Sequence, residues 1–119
     1  VTPSRLLSPT VLKTAVAKTV QVTGVADNPA MQIPDGALAV TGNLAVVSPS
    51  AAGYLSVTTV ATNSPKTSTL NFPIGDTRAN AVTIELGSGG KLGFTYVGKS
   101  GSSAQIVFDL TGYFLPAPG

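Results

Sequence analysis

Ser68-Thr-Leu-Asn-Phe-Pro-Ile-Gly-Asp-Thr-Arg-Ala-Asn-Ala-Val-Thr-Ile-Glu-Leu86 is the stretch that decides the fold. Leu70, Phe72 and Ile74 alternate with Thr69, Asn71 and Pro73. Beyond Gly75-Asp76, Val82, Ile84 and Leu86 alternate with Thr83 and Glu85. A period of two sends successive side chains to opposite faces of a pleated strand. The stretch therefore predicts two paired or adjacent strands, each with one apolar and one polar face. Two strands alone are marginal in water, so the apolar face needs a second sheet.

Working outward, the same period recurs. Leu92, Phe94 and Tyr96 alternate with Lys91, Gly93 and Thr95, and Ala104, Ile106, Phe108 and Leu110 share one face of a last long strand. Gly87-Ser-Gly-Gly90 reads as a hairpin turn between residues 82–86 and 91–97. Residues 37–48 form the longest candidate strand. There Leu38, Val40, Leu44 and Val46 share one parity, and Gly42-Asn43 marks a bulge or a close contact. Ala39, Ala45 and Val47 make the other parity apolar too, which predicts cover on both sides. Residues 18–25 and 54–60 are shorter strands, and Asn28-Pro29 and Asp35-Gly36 mark loop turns. No window carries a 3.6-residue period with caps. About seven or eight short strands with regular turns predict an all-β, two-sheet antiparallel β-sandwich of jelly-roll or Greek-key type, with a barrel as runner-up.

Residues 1–17 differ from the rest. Pro3 and Pro9 break the segment, and Leu6, Leu7, Val11, Leu12 and Val16 give it apolar content without steady alternation. It is either the first edge strand or an arm that adds to a neighbour's sheet. The predicted organisation is that segment, a sandwich over 18–115, and a tail over 116–119.

Composition narrows the function. The chain has 119 residues, enough to bury roughly 65% of its unfolded surface in one domain. Charged residues are only 10%, while Ser and Thr number 26, so hydroxyls and amides carry solubility. The net charge of +2 is spread thinly, without the basic stripe and stacking aromatics of a nucleic-acid binder. No apolar run approaches the roughly 18 residues of a membrane helix. The start at Val1-Thr2-Pro3 fits a mature secreted protein whose signal peptide is gone, or a fragment boundary.

Catalytic chemistry is hard to assemble. With no Cys and no His, thiolate nucleophiles, disulfides, zinc ligands and the usual general base are all missing. Glu85 and Asp109 fall on the polar parity of their strands, where they could face each other as a carboxylate pair. A solvated or ion-paired role is the simpler reading. Asp27, Asn28 and Asp35 offer oxygens to Ca²⁺, although turn chemistry explains them better. Gly87-Ser-Gly-Gly-Lys91 lacks the spacing and following helix of a phosphate loop. Asp109 beside a Lys is the place to look for an isopeptide crosslink. Tyr96 shares the apolar parity of Phe94 and belongs to the core rather than to a sugar platform. Ser8-Pro-Thr10 and Ser64-Pro-Lys-Thr-Ser-Thr69 could accept O-glycans. No catalytic residue, metal ligand or cofactor is assigned.

Six ordered pieces span nearly the whole chain: Pro3-Ser-Arg-Leu-Leu7, Gly53-Tyr-Leu-Ser-Val57, Ser68-Thr-Leu-Asn-Phe72, Ala79-Asn-Ala-Val82, Leu86-Gly-Ser-Gly-Gly-Lys-Leu92 and Val107-Phe-Asp-Leu-Thr-Gly-Tyr-Phe114. Together they resemble a β-rich module of secreted and surface proteins of actinobacteria, Chloroflexi and related bacteria. That module often occurs in tandem or appended to secreted hydrolases. The resemblance implies an extracellular, cell-surface address and a non-catalytic role. Where the family pattern continues Arg-Leu-Leu with Asp-Thr-Arg, this chain has Ser8-Pro9-Thr10, which unsettles an ordinary intradomain role for the segment.

Two functions follow as expectations. The first is a structural subunit of a pilus-like surface fibre. Copies would join head to tail as each buries Leu6, Leu7, Val11, Leu12 and Val16 of its N-terminal arm in the next. The alternative is an accessory module that binds cell-wall glycan or another polysaccharide beside a hydrolase.

Overall fold

The computed structural model describes residues 4–24, 32–47, 49–66, 68–73 and 77–116. Eight strands follow in order: β1 (Ser4–Lys13), β2 (Lys18–Gln21), β3 (Ala39–Val47), β4 (Gly53–Thr58), β5 (Leu70–Phe72), β6 (Arg78–Glu85), β7 (Lys91–Gly98) and β8 (Ser103–Phe114). No described residue is helical. One sheet runs β1-β8-β3-β6 and the other β2-β7-β4-β5, every pairing antiparallel. This strand order is that of a jelly roll, so the expected two-sheet sandwich is the fold.

The alternating faces meet in the middle. Val40, Leu44 and Val46 of β3, Leu92, Phe94 and Tyr96 of β7, and Ala104, Ile106, Phe108 and Leu110 of β8 are all buried. Leu55, Leu70, Phe72, Val20 and Val22 complete the packing. Phe94 meets Phe108 across the sheets with ring centroids 5.6 Å apart. Full burial of each large side chain is worth roughly 1.5–3 kcal/mol. Gly42 is the expected irregularity. The β3–β8 register shifts between Thr41 and Gly42, and a Cβ there would sit 2.6 Å from the Phe108 ring.

Three expectations need correction. The runs around Leu70–Phe72 and Val82–Leu86 are not paired, because β5 lies in one sheet and β6 in the other. The turn at residues 87–90 is not a hairpin for the same reason: it carries the chain from β6 across to β7. Gly89 and Gly90 both adopt positive φ, 74° and 72°, which lets the chain reverse within four residues. Gly87 is pinned at the crossing, since a Cβ there would lie 2.0 Å from the Thr59 carbonyl oxygen. Finally, the cover expected on both sides of β3 is only partial on its outer parity, where Ala39, Ala45 and Val47 are half-buried. Being flanked by β8 and β6 in the sheet accounts for that partial shielding.

Part of the outer face of the second sheet is covered. Residues 59–66 run over it, placing Ala61 on Gly93 and receiving a hydrogen bond from Thr95 Oγ1 at the Thr62 carbonyl (2.8 Å). Asn63 accepts from the backbone N–H of Ala17 at 2.8 Å, tying this strap to the entry of β2.

Candidate assembly surfaces

Residues 4–17 supply β1 and the crossover into β2. β1 is an edge strand of its own molecule, antiparallel to β8, with Val11 opposite Gln105, Leu12 opposite Ala104 and Lys13 opposite Ser103. Further back the register shifts twice, between Arg5 and Leu7 and between Leu7 and Thr10, around Pro9. The five apolar residues singled out in the sequence divide by position. Leu12 is buried at 4% exposure and Leu6 is partly buried against the core. Val11 and Val16 are turned outward, 61% and 55% exposed. The Leu7 side chain lies outside the described part.

The crossover, residues 14–17, carries the chain from one sheet to the other. The Thr14 and Ala15 N–H groups donate to the carbonyls of Ser102 (3.1 Å) and Tyr96 (2.8 Å). Thr14 Oγ1 donates to the Gly98 carbonyl and accepts from the Gly98 N–H. Between them Ala15 is held at φ 60°, and no other non-glycine residue among those described has positive φ. For an L-residue that conformation costs about 1–2 kcal/mol. Nothing in Thr14-Ala-Val-Ala17 announced a turn, since none of the usual turn formers is present. Val11, Lys13, Thr14 and Val16, with residues 100–103, line a shallow surface cleft of about 570 Å³ beside it.

The sheets end in unequal edges. Those of β2 and β5 are four and three residues long. The edges of β1 and β6 are ten and eight. Short edges offer little to a passing strand, whereas long ones offer a row of backbone donors and acceptors. Inward from β6, Val82 and Ile84 are half-buried, and with Val57 and Thr69 they line a groove of about 510 Å³ between the sheets.

The other candidates disperse. Glu85 and Asp109 share the outer face of the β1-β8-β3-β6 sheet but lie on strands that β3 separates, opposite Ala39 and Asn43 respectively. They make no facing pair. The cross-strand neighbours of Asp109 are Arg5 and Asn43, not a lysine. Asp35 sits exposed in a turn, and Asp27 and Asn28 lie outside the described residues. No group of three or more potential metal ligands gathers among the described residues. No helix among the described residues is long and apolar enough to cross a membrane.

Tyr96 is fully buried, stacked on Phe72 at 5.8 Å. Tyr113 and Phe114 are exposed at 40% and 52%. Being consecutive in β8, they point to opposite faces and build no flat platform. No family model matches this chain, and neither does any curated protein or solved structure.

Proposed function

We propose that the chain is a non-catalytic extracellular structural protein, a subunit of a surface fibre in which each copy hands its N-terminal strand to the next. The observation that carries this reading is the strained residue at the base of an edge strand, Ala15 below β1. Exchanging β1 between copies leaves its pairing with β8 and the burial of Leu12 unchanged, because the same contacts form in trans. Only the crossover differs, and there the exchange releases a left-handed alanine in return for the hydrogen bonds of Thr14 and Ala15. Short strained connections favour such swaps, and an exchange that does not close on itself makes a filament. The extracellular address rests on the sequence resemblance. A polysaccharide-binding role has less support, since the aromatic side chains form no common surface.

The test uses the absence of native cysteine. Val11 and Gln105 are cross-strand partners, so a Val11→Cys/Gln105→Cys variant should oxidise readily. Strand exchange predicts a covalent ladder on a denaturing gel run without reductant. A single unlinked monomer band at fibre-forming concentration would overturn it.

A further inference from the structure

The five asparagines of the chain are held very differently. Asn28 precedes a proline, which has no N–H. Asn43, Asn71 and Asn80 stand in β3, β5 and β6, where ladders fix the backbone. Leu44 and Phe72, which follow the first two, are buried. Asn63 alone among the described asparagines lies outside a strand. It is exposed in the strap, and the next residue, Ser64, is small and exposed as well.

The Asn63 carboxamide is set up to react. Its Oδ1 accepts the Ala17 N–H at 2.8 Å, and the Ser64 N–H donates to Thr62 Oγ1 at 3.2 Å. Joining the Ser64 nitrogen to the Asn63 Cγ closes a five-membered ring, so chain connectivity alone keeps nucleophile and electrophile close. In a strand, closure requires the asparagine to leave its extended conformation and break the ladder. The strap has no ladder to break. The Ala17 N–H also sits where negative charge grows on Oδ1 as the nitrogen attacks, the place of an oxyanion donor.

We infer that Asn63 is a site of spontaneous covalent modification, in which its side-chain amide closes on the Ser64 nitrogen and hydrolyses to an isoaspartyl link. The Ser64 N–H proton leaves to solvent base, the bond from that nitrogen to Cγ forms, and the Cγ–Nδ2 bond breaks with loss of ammonia. Water then opens the cyclic imide. Attack at the Asn63 main-chain carbonyl leaves the chain running through Cγ, as isoaspartate, and attack at Cγ gives ordinary aspartate. Water is the sole co-reactant and nothing is oxidised or reduced. The isoaspartyl strap is one carbon longer between Thr62 and the buried Pro65, so the tie to Ala17 and the seat of Pro65 no longer match. The strap then lifts from the crossover. No partner chain takes part, so this holds or fails apart from strand exchange.

Site-resolved mass spectrometry tests it, on folded protein kept for weeks in mildly alkaline buffer, where each converted amide gains about 1 Da. Asn63 should convert about ten-fold faster than Asn43, Asn71 or Asn80, because they must leave a ladder first. Ser64→Val places a β-branched side chain beside the nucleophile at an exposed position and should slow conversion about ten-fold. Urea should speed Asn80 more than Asn63, since unfolding frees the former and takes the Ala17 donor from the latter. Trypsin should cut the converted fraction faster after Lys66. Conversion of Asn63 no faster than that of the strand asparagines overturns the proposal, and so does a rate that Ser64→Val leaves unchanged. If urea speeds Asn63 as much as Asn80, the Ala17 bond shields the amide instead of priming it, and the proposal falls.

Discussion

The backbone of Ala61 lies so close over Gly93 that a Cβ added to the glycine would come within 2.4 Å of the Ala61 Cα and 2.7 Å of its nitrogen. The near atoms are backbone, so the strap over residues 59–66 must lift if that Cβ is present. Gly93→Ala should therefore destabilise the fold by about 1–3 kcal/mol, the usual cost of overpacking. Chemical denaturation reads the loss, and faster tryptic cleavage after the exposed Lys66 under native conditions would report the strap coming away. An unchanged midpoint would mean that the strap does not rest on the sheet.

Two buried hydroxyls should respond in opposite ways to removal. The Tyr96 hydroxyl lies 2.9 Å from Ser102 Oγ and donates toward the Ala51 carbonyl at 3.3 Å, while Ser102 Oγ in turn donates to the Lys99 carbonyl. Tyr96→Phe breaks this network and should cost about 1–2 kcal/mol. Ser56 Oγ is fully buried with no partner. Its desolvation is already uncompensated, so Ser56→Ala should leave stability unchanged or raise it by about 1 kcal/mol. Thermal or urea melts of both variants check the contrast, and a Ser56→Ala loss as large as that of Tyr96→Phe would contradict it.

How much of this could be read from the residues follows from what period two encodes. It reports which side chains share a face, and it placed Val40, Leu44 and Val46, Leu92 to Tyr96, and Ala104 to Leu110 in the core correctly. It does not report which strand lies beside which. The stretch from Ser68 to Leu86 therefore looked like neighbours, and Gly87 to Gly90 like a hairpin, although both connect opposite sheets. A tight glycine turn reverses direction equally well within a sheet or between two. Leu38 shows a second limit. It has the inward parity of Val40 yet is 55% exposed, because it precedes β3 at the sheet's end. The assembly surfaces were half legible: the apolar content of residues 6–16 was plain. The strained turn was hidden in an alanine, and the long edge of β6 emerges only when its neighbours are known.

The fibre reading turns on Ala15, and two substitutions there should move assembly in opposite directions. Glycine occupies φ 60° at little steric cost, so Ala15→Gly relaxes the closed crossover by about 1 kcal/mol, less a part lost to unfolded-chain entropy. That should favour the self-contained monomer and cut the trans-linked fraction of the Val11→Cys/Gln105→Cys chain about five-fold, since 1.4 kcal/mol is tenfold. Proline fixes φ near −65° and has no N–H, so Ala15→Pro cannot adopt the closed turn or donate to the Tyr96 carbonyl. An extended crossover remains open to it, and that form carries β1 away from its own β8. Ala15→Pro should thus lengthen the covalent ladder at a concentration where the parent chain shows mostly monomer. The two variants test direction rather than mere damage: general destabilisation would move both the same way, whereas a hinge that stores strain moves them apart.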